Sequence, residues 1–256
     1  MSIFDQKVIK YEMKPLSSLE KVFPDETPVY RMECQMLSGL WGETVSFQVA
    51  YTGDFVMRER LDVRVVSELA EHVHVRTVEM VPVGRATNGI VDDNYLKTTS
   101  GLYPDLLKDL KDGKVIVYSR QWRSLWVDVD ITNEIPAGEY EIELQLIKEG
   151  EVVCSAKQKV TVIGTELPKL DIMHTEWMHA DCLADYYHVE VFSEEHWKLL
   201  ENYFQEYVKR DCNMMLTPLF TSPLDTAIGL ERTTCQLIDV EVKDGEYVFG
   251  FEKLKR

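Results

Sequence analysis

The chain has 256 residues, of which 45% are hydrophobic and 28% charged, a composition typical of a soluble globular protein and not of a disordered one. It contains 28 Lys and Arg against 44 Asp and Glu residues, which gives a formal net charge of −16. Because such a charge repels phosphate backbones and anionic lipid, we expect neither a nucleic-acid partner nor a membrane partner. No apolar stretch approaches the roughly 18 residues that would span a bilayer.

The cysteines predict a reducing environment. They are odd in number, widely spaced and never arranged as C-x-x-C, which excludes zinc ribbons and thioredoxin-like motifs and makes a disulfide framework a poor interpretation. The N-terminus lacks the basic region and apolar run of a signal peptide. We therefore expect free thiols and a cytoplasmic location. The cysteines are Cys34, Cys154, Cys182, Cys212 and Cys235.

The first 164 residues follow a period of two. In residues 140–146, apolar side chains alternate with acidic or amide side chains, as in strands that are buried on one face only. Residues 82–112 break this pattern and predict a long surface loop with one helical turn near 106–110. Short strands without a convincing helix predict an antiparallel β-sandwich over residues 1–164. The strand candidates are 44–52, 61–67, 72–81, 114–118, 126–131, 140–146 and 152–163.

From residue 165 onward the pattern changes to strand, helix, strand. Residues 170–174 predict a short strand, Ser193 is a good N-cap for a helix ending near Arg210, and residues 213–217 predict a buried parallel strand. A hairpin should follow, turning at Lys243–Glu246. A complete (β/α) barrel needs about 200 residues, which is more than residues 165–256 provide. The sequence therefore predicts a multi-domain β plus α/β protein, an antiparallel β-sandwich followed by a truncated (β/α) barrel over residues 165–256.

Reactive side chains are concentrated in two predicted loops that follow these strands, where a barrel places its active site. Aromatic rings there can stack on a sugar face, and the polar side chains can bind hydroxyl groups. Trp177 also has a simpler interpretation as a core residue, and Arg232 as a structural ion-pair partner. The candidate substrate-binding residues are His174, Trp177, His179, Asp181, Phe220, Asp225 and Arg232.

We expect no metal and no cofactor. The spacing of His174, His179 and Asp181 is not an established ligand motif, and the chain contains no Gly-rich phosphate loop and no nucleophile elbow.

The same region resembles a known family. The resemblance rests on residues 176–187, 192–197, 216–221, 223–226 and 231–237, and upstream on 46–48, 102–106 and 124–128. These stretches resemble the bacterial domain of unknown function 4091 family, which is similar to the family 123 glycoside hydrolases. The resemblance implies a sandwich followed by a catalytic (β/α)8 barrel that acts on glycosides. In family 123 an adjacent Asp-Glu pair on a later strand works with the acetamido group of the substrate.

No match for that pair is found, and we expect the corresponding region to lie beyond residue 256, so the catalytic residues stay unknown. The resemblance then implies the N-terminal part of a glycoside hydrolase, with a carbohydrate substrate and no activity by itself. The alternative is a non-catalytic carbohydrate-binding or scaffolding β-sandwich module. The sequence leaves the sugar, the linkage and the oligomeric state open.

Overall fold

The computed structural model describes residues 10–28, 36–55, 58–87, 89, 91, 93–169, 171–221, 226 and 228–255. The chain divides into two compact units, Met1–Leu167 and Pro168–Arg256. Within the described residues, no helix is both long enough and apolar enough to cross a membrane.

The first unit is built of strands that form two sheets. In the described part of this unit the strands are β1 (Lys10–Ser17), β2 (Met36–Trp41), β3 (Thr44–Asp54), β4 (Glu59–Val66), β5 (Val73–Val83), β6 (Gly101–Asp109), β7 (Lys114–Val117), β8 (Arg123–Asp130), β9 (Gly138–Lys148) and β10 (Glu151–Glu166). One sheet has the order β1-β3-β8-β5-β6 and the other has the order β2-β10-β9-β4-β7. Neighbouring strands are antiparallel, except that β2 pairs with β10 in parallel.

The two sheets share one hydrophobic core, so the predicted β-sandwich is confirmed. On β9, Ile142 and Leu144 are completely buried, whereas Glu141 between its apolar neighbours faces solvent. Side chains of β3 and β8, including Phe47 and Val127, belong to the same core. A one-residue slip of β9 would exchange these apolar side chains for acidic ones, and this cost fixes its register.

The predicted loop over residues 82–112 is wrong in its second half. Residues 101–109 form β6, which pairs with β5 through positions such as Val81 opposite Tyr103, and no helical turn forms near 106–110. β6 lies at the edge of its sheet, where Pro104 is tolerated because an edge strand leaves some N–H groups unpaired. Leu102 and Leu106 are exposed, so the strand lacks the clear alternation that revealed the central strands.

The second unit contains two helices and a hairpin among its described residues: α1 (Ala180–Tyr187), α2 (Glu194–Lys209), β11 (Asp239–Lys243) and β12 (Glu246–Gly250). The predicted helix is confirmed as α2, whose N-cap Ser193 accepts a hydrogen bond from the backbone N–H of His196 at 3.2 Å. The predicted hairpin is also confirmed. Asp244 and Gly245 form its two-residue turn with φ angles of 54° and 86°, as a type I′ turn requires.

The predicted truncated (β/α) barrel is wrong. The described parts of the two predicted parallel strands, 170–174 and 213–217, form no strand, and the strand pairing described in this unit is the antiparallel hairpin. The two segments are joined by the backbone N–H groups of Asn213 and Met214, which both donate to the carbonyl of His174 at 3.0 and 3.2 Å. The side-chain amide of Asn213 also donates to the carbonyl of Ile172 at 2.8 Å and accepts from the N–H of His174 at 2.9 Å. A parallel strand needs partners along its whole length and cover on both faces. Residues 213 and 214 are exposed, so this segment lacks that cover.

Truncating a core side chain should test the sandwich. We expect Leu144→Ala to lower the free energy of unfolding by about 2–5 kcal/mol, because it leaves a cavity between the two sheets. The matched control is Leu19→Ala, since Leu19 is 89% exposed; its change should stay within about 0.5 kcal/mol. Urea unfolding of both variants measures the difference, and equal losses would contradict the core assignment.

Candidate functional site

Helices α1 and α2 are joined by a completely buried histidine. The Nδ1 atom of His196 accepts a hydrogen bond from the N–H of Phe192 at 2.9 Å, and Nε2 lies 2.9 Å from the carbonyl oxygen of Ala180. Because Nδ1 is an acceptor, Nε2 must carry the proton and donate it, so the ring is the neutral Nε2–H tautomer. His196 is therefore a fully satisfied structural residue that positions the first turn of α1.

Beside that first turn lies a cleft of about 270 Å³, which we call the α1 cleft. Its walls come from the segments 177–181 and 216–221, together with Arg232 and Cys235. The cleft brings together most of the candidate residues that the sequence indicated. They are Trp177, His179, Asp181, Phe220 and Arg232.

The charged part of the α1 cleft is a buried ion pair. Arg232 donates through Nε to Oδ2 of Asp181 at 2.7 Å and through Nη2 to Oδ1 at 2.8 Å. The two side chains are only 11% and 8% exposed. This two-pronged geometry is the strongest arrangement available to an arginine and a carboxylate. The same surroundings raise the pKa of the neighbouring Cys235 thiol to about 11, mainly through burial and further through the charge of Asp181.

A network of hydrogen bonds holds the wall opposite α1. The N–H of Leu237 donates to the carbonyl of Pro218 at 2.9 Å, which places residues 217–221 beside 235–238. The hydroxyl of Thr221 accepts from the N–H of Cys235 at 3.0 Å and donates to Oε1 of Gln236 at 3.1 Å. Thr221 and Gln236 are not among the candidate residues predicted from the sequence. Both lie in the stretches that carry the family resemblance, and this position was the sequence signal that could have identified them.

The two aromatic residues of the cleft are accessible. Trp177 is 68% exposed and Phe220 is 52% exposed, and Phe220 also makes an edge contact with Phe249, with ring centroids 6.5 Å apart. The interpretation of Trp177 as a core residue is therefore wrong. Exposed rings at the rim of a concave site offer flat apolar faces to a ligand.

The ring of His174 contacts a different part of the second unit. The ring of His174 bonds through Nδ1 to the carbonyl of Asp211 at 3.2 Å, and its Nε2 lies 3.5 Å from a carboxylate oxygen of Glu176. These contacts tie residues 174–176 to residue 211, and His174 is not among the described residues that line the cleft. Asp225 lies outside the described residues. Over the described part of the chain, no group of three or more His, Cys, Asp or Glu side chains is arranged to hold a metal ion.

Comparison with protein families places this site in a known context. Residues 177–256 match the family model for the catalytic domain of glycoside hydrolase 123, and all the described residues that line the α1 cleft lie in this segment. No curated protein sequence matches the chain.

Among solved structures, the chain is similar to a family 123 glycoside hydrolase from Clostridium perfringens, which was analysed for glycolipid glycan hydrolysis. The TM-score is 0.69 at 13% identity, and the match covers 96% of this chain and 44% of that enzyme. This likeness concerns the fold, and the chain spans less than half of the enzyme's length. A β-glucosidase from Listeria innocua also matches 62% of this chain and 17% of its own, at 10% identity, but its TM-score of 0.27 carries no argument.

Removing one partner of the buried ion pair should destabilise the second unit. We expect Arg232→Ala to lower the free energy of unfolding by about 3–5 kcal/mol, because it leaves the Asp181 carboxylate buried without its counter-charge. The control is Lys253→Ala, which breaks an ion pair with Asp239 in which both side chains are about half exposed; its cost should be at most about 1 kcal/mol. Urea unfolding followed by circular dichroism measures both, and similar losses would contradict the structural role of the pair.

Proposed function

We propose that this chain is part of a glycoside-hydrolase-like, carbohydrate-active protein, and that its α1 cleft binds a sugar. The observation that carries the proposal is the cleft itself: five candidate residues with the chemistry of a sugar site line one concavity inside the segment that matches a glycoside hydrolase catalytic domain. Concave sites with apolar walls and a few polar groups are the usual form of small-molecule sites.

The electrostatics of the cleft favour an uncharged sugar. Asp181 and Arg232 are the charged side chains among its described lining residues, and their charges cancel within the bidentate pair. An anionic ligand would meet the carboxylate of Asp181 without an unpaired cation to compensate it. Trp177 and Phe220 would contact the apolar face of a neutral ring, while His179 and the polar backbone of the walls would bind hydroxyl or amide groups.

We further propose that the described cleft binds a sugar without cleaving it. Glycoside hydrolysis needs a general acid together with a nucleophile, a base or a positioned group of the substrate, placed on opposite sides of the bond. Of the described residues that line the cleft, Asp181 alone carries a carboxyl group, and both its oxygens are engaged by Arg232. A carboxylate held in this way is a poor proton donor. The non-catalytic binding module stays the alternative hypothesis.

Two narrower proposals accompany this function. We infer membership of the domain of unknown function 4091 group from the stretches quoted above, several of which form the walls of the α1 cleft. We also propose a cytoplasmic location, which is supported by the free thiols of the four described cysteines, Cys154, Cys182, Cys212 and Cys235.

Sugar binding should depend on Trp177. We expect the purified chain to bind N-acetylgalactosamine, a neutral sugar, and Trp177→Ala to weaken that binding at least about fivefold, equivalent to ~1 kcal/mol of lost contact. The control is Tyr186→Ala, because Tyr186 is 76% exposed and is not among the described residues that line the cleft. Isothermal titration calorimetry with a panel of neutral sugars measures the affinities. Equal effects of the two substitutions on sugar affinity would contradict the assignment of the α1 cleft as the sugar site.

Hydrolysis is tested separately. We expect no release of the aryl group from aryl glycosides, including aryl N-acetylgalactosaminides, by the purified chain, because the described cleft lacks a second carboxyl group and its first is ion-paired. Asp181→Asn is the diagnostic variant. Turnover by the unmodified chain would contradict this proposal, and its loss in Asp181→Asn with an unchanged circular dichroism spectrum would show that the α1 cleft is itself catalytic.

A further inference from the structure

The sandwich unit contains a second cleft with a different chemistry. It has a volume of about 390 Å³ and lies between β6 and β7, the last strands of the two sheets. The segment that joins these strands closes one side, and residues from β3, β5 and β8 also contribute to the lining. We call it the sandwich cleft. Most of its lining residues are polar or charged, whereas Tyr51 and Val115 belong to the hydrophobic core.

The lining of the sandwich cleft is basic, although the whole chain carries a charge of −16. Five of its described lining residues are cations and two, Glu79 and Asp109, are acids. Converging like charges without enough counter-charges raise the local concentration of anions. The cations are Arg60, Lys108, Lys111, Lys114 and Arg123.

Some of these cations already have partners. Arg60 pairs with Asp112 at 2.9 Å, and Lys114 pairs with Asp62 at 3.3 Å. Lys108, Lys111 and Arg123 make no ion pair with any residue that the structure describes. Three cations of the cleft are therefore held by no described ion pair, against the two acids that line it.

Arg123 gives the cleft its most specific feature. Its guanidinium stacks on the ring of Tyr118 at 4.9 Å and donates through Nη2 to Oε1 of Gln121 at 3.2 Å. Its Nε atom is buried and has no acceptor among the described residues. A buried donor without an acceptor is unfavourable, and a guanidinium matches the paired oxygens of a carboxylate or sulfate group.

A tyrosine from the core contributes a second donor. Tyr51 is buried, and its hydroxyl lies 3.4 Å from the carbonyl oxygen of Ile116, at the long limit of a hydrogen bond. Burial strongly raises the pKa of Tyr51, so its hydroxyl keeps its proton and remains a donor. An oxygen of a ligand in the cleft would offer this hydroxyl a better acceptor.

We propose that the sandwich cleft binds an oxyanion, the carboxylate or sulfate group of an acidic sugar, through Arg123, Lys108 and the hydroxyl of Tyr51. This site lies in the first unit, and its existence does not depend on the neutral-sugar site proposed for the α1 cleft. The two clefts would then recognise different groups, one uncharged and one anionic.

The experiment is calorimetric titration of the purified chain at fixed ionic strength with glucuronate, glucose and sulfate. Glucuronate and glucose share the ring and differ in the carboxylate, whereas sulfate represents a free inorganic anion. The variants are Arg123→Gln and Lys108→Gln; Lys108 is exposed, so its loss should leave the fold intact. The control is Lys157→Gln, since Lys157 is an exposed β10 cation that pairs with Glu141 and does not line the cleft.

We expect glucuronate to bind and glucose not to bind. Arg123→Gln should weaken the glucuronate affinity at least tenfold, Lys108→Gln about threefold, and Lys157→Gln not at all. If sulfate binds and glucuronate does not, and if both cleft variants lose sulfate binding, the oxyanion site is supported and its ligand is a free anion. Three outcomes would overturn the proposal. Glucose and glucuronate could bind equally, neither anion could bind, or the anion affinity could stay the same in Arg123→Gln and in Lys108→Gln.

Discussion

The carboxylate of Asp181 and the guanidinium of Arg232 are 51 residues apart in sequence, and they meet almost out of reach of solvent. Their bond joins the first turn of α1 to the segment that forms the opposite wall of the α1 cleft. His196 also holds this turn by donating to the carbonyl of Ala180. Because a buried charge without its partner is very unfavourable, loss of either partner should destabilise both walls of the cleft.

The same constraint has a consequence for chemistry. A carboxylate with both oxygens engaged by an arginine stabilises a fold well and transfers protons poorly. The α1 cleft therefore combines exposed aromatic rings with charges that cancel within one ion pair. The sandwich cleft has the reverse balance, with five cations against two acids among its described lining residues and a buried donor. The two units of an acidic chain thus present surfaces suited to ligands of different charge.

The errors of the sequence-based prediction have physical causes. The edge strand β6 was missed because one side of an edge strand is open to solvent, so Leu106 and Pro104 do not follow the alternation of a central strand. The parallel strand predicted at 213–217 failed for a related reason. An apolar stretch indicates burial, but it forms a strand only where neighbouring strands complete its backbone hydrogen bonds. Here the side chain of Asn213 bonds to residues 172 and 174. Helix α1 was read as a loop, because eight residues carry too little periodicity.

The sequence by itself determined the features that depend on near neighbours. The period-two core face of β9, the N-cap of α2 at Ser193 and the Asp244–Gly245 turn are set by local backbone and patterning rules, and all three were predicted. It also indicated the residue types of the candidate site and the two segments that carry them. Only the tertiary structure decided which of them meet: it paired Asp181 with Arg232, exposed Trp177 and left His174 to a structural contact. Such pairings join segments tens of residues apart, and their energy comes from burial, which local sequence does not encode.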